Sequence, residues 1–320
     1  MAKPPDPPKF RTRFDPRHGE AVTMAPAIVR VTANNPSPFT FHGTNTYLLG
    51  RGDSVAVIDP GPALDNHWRA LERAIAGRAV SHILVTHTHV DHSPLAARLA
   101  AATGARTYAQ GPHRPARPLH TGEVNPLDAS ADTDFAPDVA VGDGEVIEGP
   151  ADGGGWRVTA LHTPGHTANH CAFACEIDGA RSLFSGDHVM AWATSIVAPP
   201  DGSMSDYVAS LDRVAARPEE TYWPGHGGRV ENAPAFVRAL KAHRRMREAA
   251  VLEQVRAGRE TIPDMVRVIY ATTDPKLHGA AGLSVLAQLE DLVARGVVET
   301  DGPPALEGRY RAGRDGAAPG

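Results

Sequence analysis

The segment Thr86-His87-Thr88-His89-Val90-Asp91-His92-Ser93 packs three imidazoles and a carboxylate into six residues. Neutral imidazole nitrogen and carboxylate oxygen are the donors that first-row dications take, so the cluster points to a metal rather than to an ordinary polar loop. Three later fragments extend the set: Thr163-Pro164-Gly165-His166-Thr167, Phe184-Ser185-Gly186-Asp187 and Trp223-Pro224-Gly225-His226-Gly227. In each, a glycine stands directly before a donor, where the missing Cβ lets backbone approach closely. The donors are then His87, His89, Asp91, His92, His166, Asp187 and His226. Seven are too many for one tetrahedral ion and suit two, zinc first, with iron or manganese as alternatives. An open position for solvent on each ion marks a catalytic rather than a structural site.

Each donor follows a short run that reads as a strand: Ile83 to Val85, Val158 to Leu161, Ser182 to Phe184 and Thr221 to Trp223. Strand, turn and donor repeated four times would line the donors along one sheet edge. Ser93-Pro94 reads as N-cap and first helical position of a helix from Leu95 to Thr103, which Gly104 stops. Further strands are expected at Ala27 to Val31, Tyr47 to Leu49 and Val55 to Ile58. Asp59, closing the last of these, is either an outer acceptor for a ligand histidine or an ordinary turn aspartate. Residues 111–137, rich in Pro, Asp and Ala, read as a surface excursion, with a lid as the alternative. His162 and His170 divide evenly between a site role and packing, and His188 should point away from the metals.

A pair of dications would bring the pKa of a shared water down to about 7 and polarise the electrophile's oxygen. Asp91 is the candidate catalytic group, orienting the nucleophile or carrying a proton to the leaving group. No Ser-His-Asp arrangement competes with this chemistry.

The H-x-H-x-D-H cluster of His87, His89, Asp91 and His92, the P-G-H-T element of His166, the G-D of Asp187 and the G-H of His226 resemble, in order, the metallo-beta-lactamase superfamily pattern. The resemblance spans about residues 26 to 230. It implies an α/β fold, a four-layer αββα sandwich of two packed mixed sheets between helices. It further implies His87, His89 and His166 around one ion, Asp91, His92 and His226 around the other, and Asp187 bridging. Asp187 argues against a true beta-lactamase, since di-zinc lactamases generally have no bridging aspartate there. Asn35-Pro36-Ser37-Pro38-Phe39-Thr40 with Gly43 to Gly50 looks like the beta-lactamase-like 2 subgroup. That likeness implies a phosphodiesterase, an endoribonuclease on single-stranded RNA. The alternative is a thioester hydrolase, similar to glyoxalase II or to acyl-carrier thioesterases, acting on an anionic or carrier-bound thioester. A nucleic-acid-binding protein with a degenerate site, and an iron oxidoreductase, are lesser readings.

The whole chain suits such an enzyme. Its 320 residues are 42% hydrophobic with a net charge of −5. No run approaches the roughly 18 apolar residues of a membrane span, and no secretory core opens the chain, so a cytoplasmic location is expected, with no membrane partner. Cys171 and Cys175, the only cysteines, fall on one strand face and read as buried thiols. Residues 1–24, Pro-rich, read as a disordered tail, residues 25–232 as the catalytic domain, and residues 314–320 as a flexible tail. Between them, residues 233–313 read as a helical linker and a winged-helix-like module. A long helix from Ala233 to Arg256 carries a basic run of Arg238, Lys241, Arg244, Arg245 and Arg247. A second begins at Thr261-Ile262-Pro263 with threonine as its cap, and a third covers Leu283 to Arg295. Two strands, Val297 to Thr300 and Arg309 to Arg311, close the module, in the manner of the same subgroup. Residues 232–314 hold 13 Lys and Arg against 10 Asp and Glu, opposite in sign to the chain as a whole. That surplus leans toward a phosphate-rich partner, and a solvated helix face is the plainer reading. A homo-oligomer is compatible with all of this.

Overall fold

The computed structural model describes residues 7–125 and 128–313. Short Val/Ile-rich runs between glycines and turns build two sheets. The first orders β1 (Ala21–Ala25), β2 (Ile28–Thr32), β3 (Asn45–Leu49), β4 (Ser54–Ile58), β5 (Ala79–Leu84), β6 (Arg106–Ala109) and β7 (Val139–Ala140) side by side. It is antiparallel through β4 and parallel from there on. The second sheet runs from β8 (Val146–Glu148) through β9 (Arg157–His162), β10 (Cys171–Ile177), β11 (Ala180–Gly186) and β12 (Thr221–Pro224) to β13 (Val230–Glu231). Only its β11–β12 pair is parallel.

The facing sides of the two sheets share one apolar core. Tyr47, Leu49, Ile58 and Leu84 from the first meet Trp156, Phe173, Phe184 and Trp223 from the second, and Cys171 and Cys175 lie in the same cluster as free thiols. The outer face of the first sheet buries Val31, Val57 and Ile83 under α1 (Asp65–Ile75) and α2 (Leu95–Thr103). Leu161, Leu183 and Tyr222 of the second sheet are covered by α3 (Met204–Ala215) and the first half of α4 (Ala233–Arg256). This is the four-layer αββα sandwich. Fully burying one such Leu or Phe is worth about 1.5 to 3 kcal/mol, so the layers are fixed by many comparable terms.

The C-terminal module has its own core. Val251, Leu252 and Val255 from the far half of α4 pack against Ile262, Met265 and Val266 of α5 (Ile262–Ile269), Leu286, Leu289 and Leu292 of α6 (His278–Ala294), and Val298 and Tyr310 of the antiparallel pair β14 (Val298–Thr300) and β15 (Tyr310–Ala312). Thr261 caps α5, accepting from the Asp264 N–H as its sequence position suggests. α6 begins five residues ahead of the expected Leu283.

Several expectations change. Residues 7–24 do not behave as a tail. Arg11 N–H donates to the Ala191 carbonyl at 2.8 Å, the Phe10 ring meets Phe236 edge-on at 6.3 Å, and residues 21–25 form β1 against β2. Ser93 does not cap α2. Its hydroxyl donates instead to Asp132 at 2.5 Å, and the helix starts after Pro94 without a side-chain cap. The basic run is not one free face: Arg244 is buried, Lys241 pairs with Asp212, and Arg247 lies 4.9 Å over the Tyr270 ring and donates to the Ile269 carbonyl. Among the described residues, no helix is long and apolar enough to cross a membrane. The expected tail at 314–320 lies outside the described residues.

Candidate metal centre

The seven candidate donors stand at the C-terminal ends of β5, β9, β11 and β12. The expectation of a single sheet edge is therefore too narrow, because β5 belongs to the first sheet and the other three to the second. The centre sits across the ends of both.

His87 Nε2 and His166 Nε2 approach His89 Nδ1 to 3.0 and 3.1 Å. The edge of a tetrahedron with bonds of about 2.05 Å is about 3.3 Å, so this spacing fits three nitrogens around one ion. Asp91 Oδ2 lies 3.3 Å from both His92 Nε2 and His226 Nε2, the second triad. Asp187 stands between: Oδ2 is 3.7 Å from His166 Nε2 and 3.2 Å from His226 Nε2, and Oδ1 is 3.6 Å from His92 Nε2. The groups His87/His89/His166, His87/His92/Asp187 and Asp91/His92/His226 each converge their donor atoms within 4.8 Å. His92 Nε2 and Asp187 Oδ1 are buried with no hydrogen-bond partner, which an ion, not a solvated loop, would satisfy. The residues present thus fit a dinuclear metal site.

The second nitrogens of His87, His92, His166 and His226 are engaged from outside, whereas His89 Nε2 is buried without a partner. Asp59, at the end of β4, accepts from Thr86 N–H and Thr86 Oγ1, each at 2.7 Å, and from His92 Nδ1 at 2.9 Å. These bonds favour the outer-acceptor reading over the turn reading, with Asp59 turning His92 Nε2 inward. His166 Nδ1 faces the Ile196 carbonyl at 2.6 Å, and His226 Nδ1 faces the Gly43 carbonyl at 3.3 Å. Burial, with the charge of neighbouring imidazoles, keeps His87 well below its usual pKa and His89 at about 3, so both imidazoles are neutral at pH 7 and able to offer a lone pair to an ion. Burial opposes the charge of His92 and His226, but the carboxylates of Asp91 and Asp187 outweigh it and raise both.

Two glycines show why the motifs carry them. A Cβ on Gly225 would stand 2.4 Å from Asp187 Oδ1, and one on Gly165 would stand 2.3 Å from the Tyr207 Cα of α3. Either would drive a donor loop out of place.

Some contributors are not evident from the motifs. Thr44 Oγ1 donates to Asp91 Oδ2 at 2.7 Å. Asn45 Nδ2 ties the carbonyls of Pro224 and Gly227 on either side of the His226 turn, at 3.0 and 2.9 Å. His170 takes a site role, its Nε2 accepting from Asp187 N–H at 3.2 Å, whereas His162 reaches only the Val141 carbonyl. His188 turns away, edge-on to Tyr207 at 5.0 Å. The excursion after β6 is fastened to the site, with Val90 N–H donating to Ser130 O at 3.0 Å and Asp132 N–H to Thr88 O at 2.8 Å. At its other end Arg117 bridges Glu123 and, on α6, Glu290, each at 2.7 Å. Thr44 and Asn45 both fall in the Gly43 to Gly50 stretch already set apart in the sequence, and that stretch is the signal that could have marked them.

The rim is apolar. Val90, between two donors, is exposed. Trp192 and Phe41 stack at 4.6 Å and 9°, and a Cβ on Gly227, next to His226, would stand 2.9 Å from Trp192 Cδ1. Among the described residues, no hydrogen-bond or ion-pair partner of the seven donors is a lysine or arginine.

A family model described as the metallo-beta-lactamase superfamily matches residues 39–226, and one for the beta-lactamase associated winged helix domain matches residues 261–304. An atrochrysone carboxyl ACP thioesterase, AgnL7, of Paecilomyces divaricatus is 26% identical over 262 residues, covering 78% of this chain and 73% of that protein. A beta-lactamase-like protein 2 homolog of Caenorhabditis elegans is 28% identical over 282 residues, 86% of this chain and 87% of that one. The crystal structure of a metallo-beta-lactamase family protein from Thermus thermophilus matches with a TM-score of 0.71 at 25% identity, over 91% of this chain and 100% of that one.

Proposed function

The chain belongs to the metallo-beta-lactamase superfamily and is a metal-dependent hydrolase of it, and on that footing we propose that it hydrolyses thioesters, with two zinc ions held by His87, His89 and His166, by Asp91, His92 and His226, and by Asp187 between them. The observation that carries the choice of substrate is the make-up of the surroundings. Val90, Phe41 and Trp192 beside the His89–Asp91 and His226 segments, with no lysine or arginine among the partners of the seven donors, suit an acyl group better than a polyanionic backbone. The burial of Arg244 and the engagement of Lys241 with Asp212 and of Arg247 with the Ile269 carbonyl also remove much of the free basic face that favoured RNA. Curated relatives named as acyl-carrier thioesterases support the same choice. We place the chain near the beta-lactamase-like 2 branch on the Asn35 to Gly50 stretch, supported by the Caenorhabditis relative. We also take residues 7–232 as the catalytic unit, since β1 and the stretch before it pack on the sandwich, and 233–313 as linker and module.

When bound, paired dications supply a water acidified to a pKa of about 7 and polarise the thioester carbonyl. The chain's own residues do the rest. Asp91, steadied by the Thr44 hydroxyl, takes the proton of the attacking water and returns it to the departing thiolate. A thiol of pKa about 8.5 leaves readily, so a single weak acid suffices. Asp59, Ile196 O and Gly43 O hold three imidazoles in the tautomer with Nε2 inward.

The test is thiol release from a panel of acyl thioesters, run beside a labelled single-stranded RNA. Wild type, Asp187→Ala and chelated wild type are compared. Thioester cleavage lost in both controls, with RNA intact, is the expected result. Metal-dependent RNA cleavage without thioester turnover would overturn the proposal in favour of a nuclease.

A further inference from the structure

Arg244 stands midway along α4, yet its side chain is 6% exposed. Its Nη2 donates to the Ser195 carbonyl, and its Cζ lies 5.0 Å over the ring of Tyr207. Its Nε is buried with no partner. A guanidinium taken from water for one carbonyl and the ring and hydroxyl of Tyr207, with its Nε left over, does less for stability than an apolar side chain that would fill the space without desolvating a charge. What it touches explains its presence. The carbonyl of the next residue, Ile196, is the acceptor for His166 Nδ1–H at 2.6 Å. Asp59 and Gly43 O, the corresponding acceptors for His92 and His226, flank paired strands. Ile196 instead belongs to a stretch, residues 187–203, without helix or strand. Tyr207 fastens the start of that stretch, its hydroxyl donating to the His188 carbonyl at 2.9 Å, and its backbone is the floor beneath Gly165.

We infer that Arg244 is a positioning residue for the metal position of His87, His89 and His166: it pins the Ser195 carbonyl, fixes the adjoining Ile196 carbonyl through the chain, and thereby keeps the His166 Nε2 lone pair toward the ion. The inference rests on His166 being a ligand, and not on which substrate is cleaved. It also gives α4, whose far half belongs to the core of the C-terminal module, a direct line to one metal position.

The experiment uses zinc alone as the probe. Zinc per chain is followed against graded chelator for wild type, Arg244→Met, Arg244→Lys and Arg247→Met, together with the His166 ring signals in long-range proton–nitrogen NMR. Arg247 makes a like ring contact and carbonyl bond farther along the same helix, so its loss reports generic packing. Arg244→Met is expected to release one zinc at about 10 to 100-fold lower chelator strength than wild type. The other zinc should stay, and His166 should populate a second tautomer. Arg244→Lys, which keeps a charge and a donor, should fall between, and it decides alone if the methionine variant does not fold. Arg247→Met should match wild type. Equal retention by the Arg244 variants, or the same loss in Arg247→Met, overturns the inference. A wild-type chain holding fewer than two zinc ions sinks the ligand assignment itself, and shows this without any variant.

Discussion

Replacing Gly225 by alanine adds one methyl group where the two halves of the centre meet. That methyl would stand 2.4 Å from Asp187 Oδ1 and 2.6 Å from His92 Cε1. Relaxed contacts of this kind need about 3.5 Å, so two candidate ligands must each give way by about 1 Å. Gly225 has no left-handed φ, and the substitution therefore tests space rather than backbone strain. Asp187 has little freedom to retreat, because its N–H is bound to His170 and Gly225 N–H is bound to Gly186 O at 2.9 Å. Metal–ligand distances tolerate about 0.2 Å, far less than the shift required. Gly225→Ala should hold fewer than two zinc ions per chain and lose about 10²-fold or more in kcat/KM on a thioester, about 2.7 kcal/mol of transition-state stabilisation. The metal-free fold should lose only about 1 to 3 kcal/mol, as for ordinary overpacking. Zinc analysis after gel filtration, initial rates of thiol release and urea unfolding in chelator separate these effects. Two zinc ions held as in wild type, with unchanged turnover, would refute the reasoning.

Asp59→Asn keeps the shape but removes the charge shared by Thr86 and His92, and should weaken zinc binding about 10 to 100-fold; chelator competition that matches wild type would show Asp59 to be a turn residue after all. His67, 2% exposed and bonded to Thr46 Oγ1, is held by burial at a pKa of about 4, below its usual 6.5. The unfolded chain therefore binds a proton that the folded chain refuses as pH falls from about 6.5 to about 4. Its contribution is full above that window and shrinks by about 2 to 3 kcal/mol on reaching pH 4.5. His67→Gln should narrow its stability gap to wild type by that amount between pH 7 and 4.5 in urea unfolding of the metal-free protein, and a constant gap counts against a neutral buried imidazole. Arg117→Met strands Glu290, whose carboxyl burial pushes up, and frees Glu123, which the Arg117 hydrogen bonds hold near about 2. It should cost about 1 to 3 kcal/mol and speed proteolysis between residues 111 and 125; unchanged cleavage would mean that the excursion is held elsewhere.

The donors were legible from sequence because ligand chemistry is local. His87, His89, Asp91 and His92 lie within one turn region, and the glycines before His166, Asp187 and His226 mark where backbone must approach. Helix α5 was legible for a similar reason, since a Thr cap followed by Ile-Pro is a signal contained in three residues. β1 was not, because a short edge strand after a Pro-rich stretch gains its structure from pairing with β2. Nor were the roles of Asp59, Thr44 and His170 decided, because each acts on a ligand from a different strand end. The basic run of α4 is the sharpest case. Helical spacing alone sets Arg238, Lys241, Arg244, Arg245 and Arg247 around a helix, and only the packing of α3 and the 187–203 stretch turns Arg244 inward. Sequence by itself determined which atoms are available to bind metal and in what order along the chain. The tertiary structure decided which of them meet, what holds their second nitrogens, and which cations face solvent, since those depend on strand register and on neighbours far away in the chain.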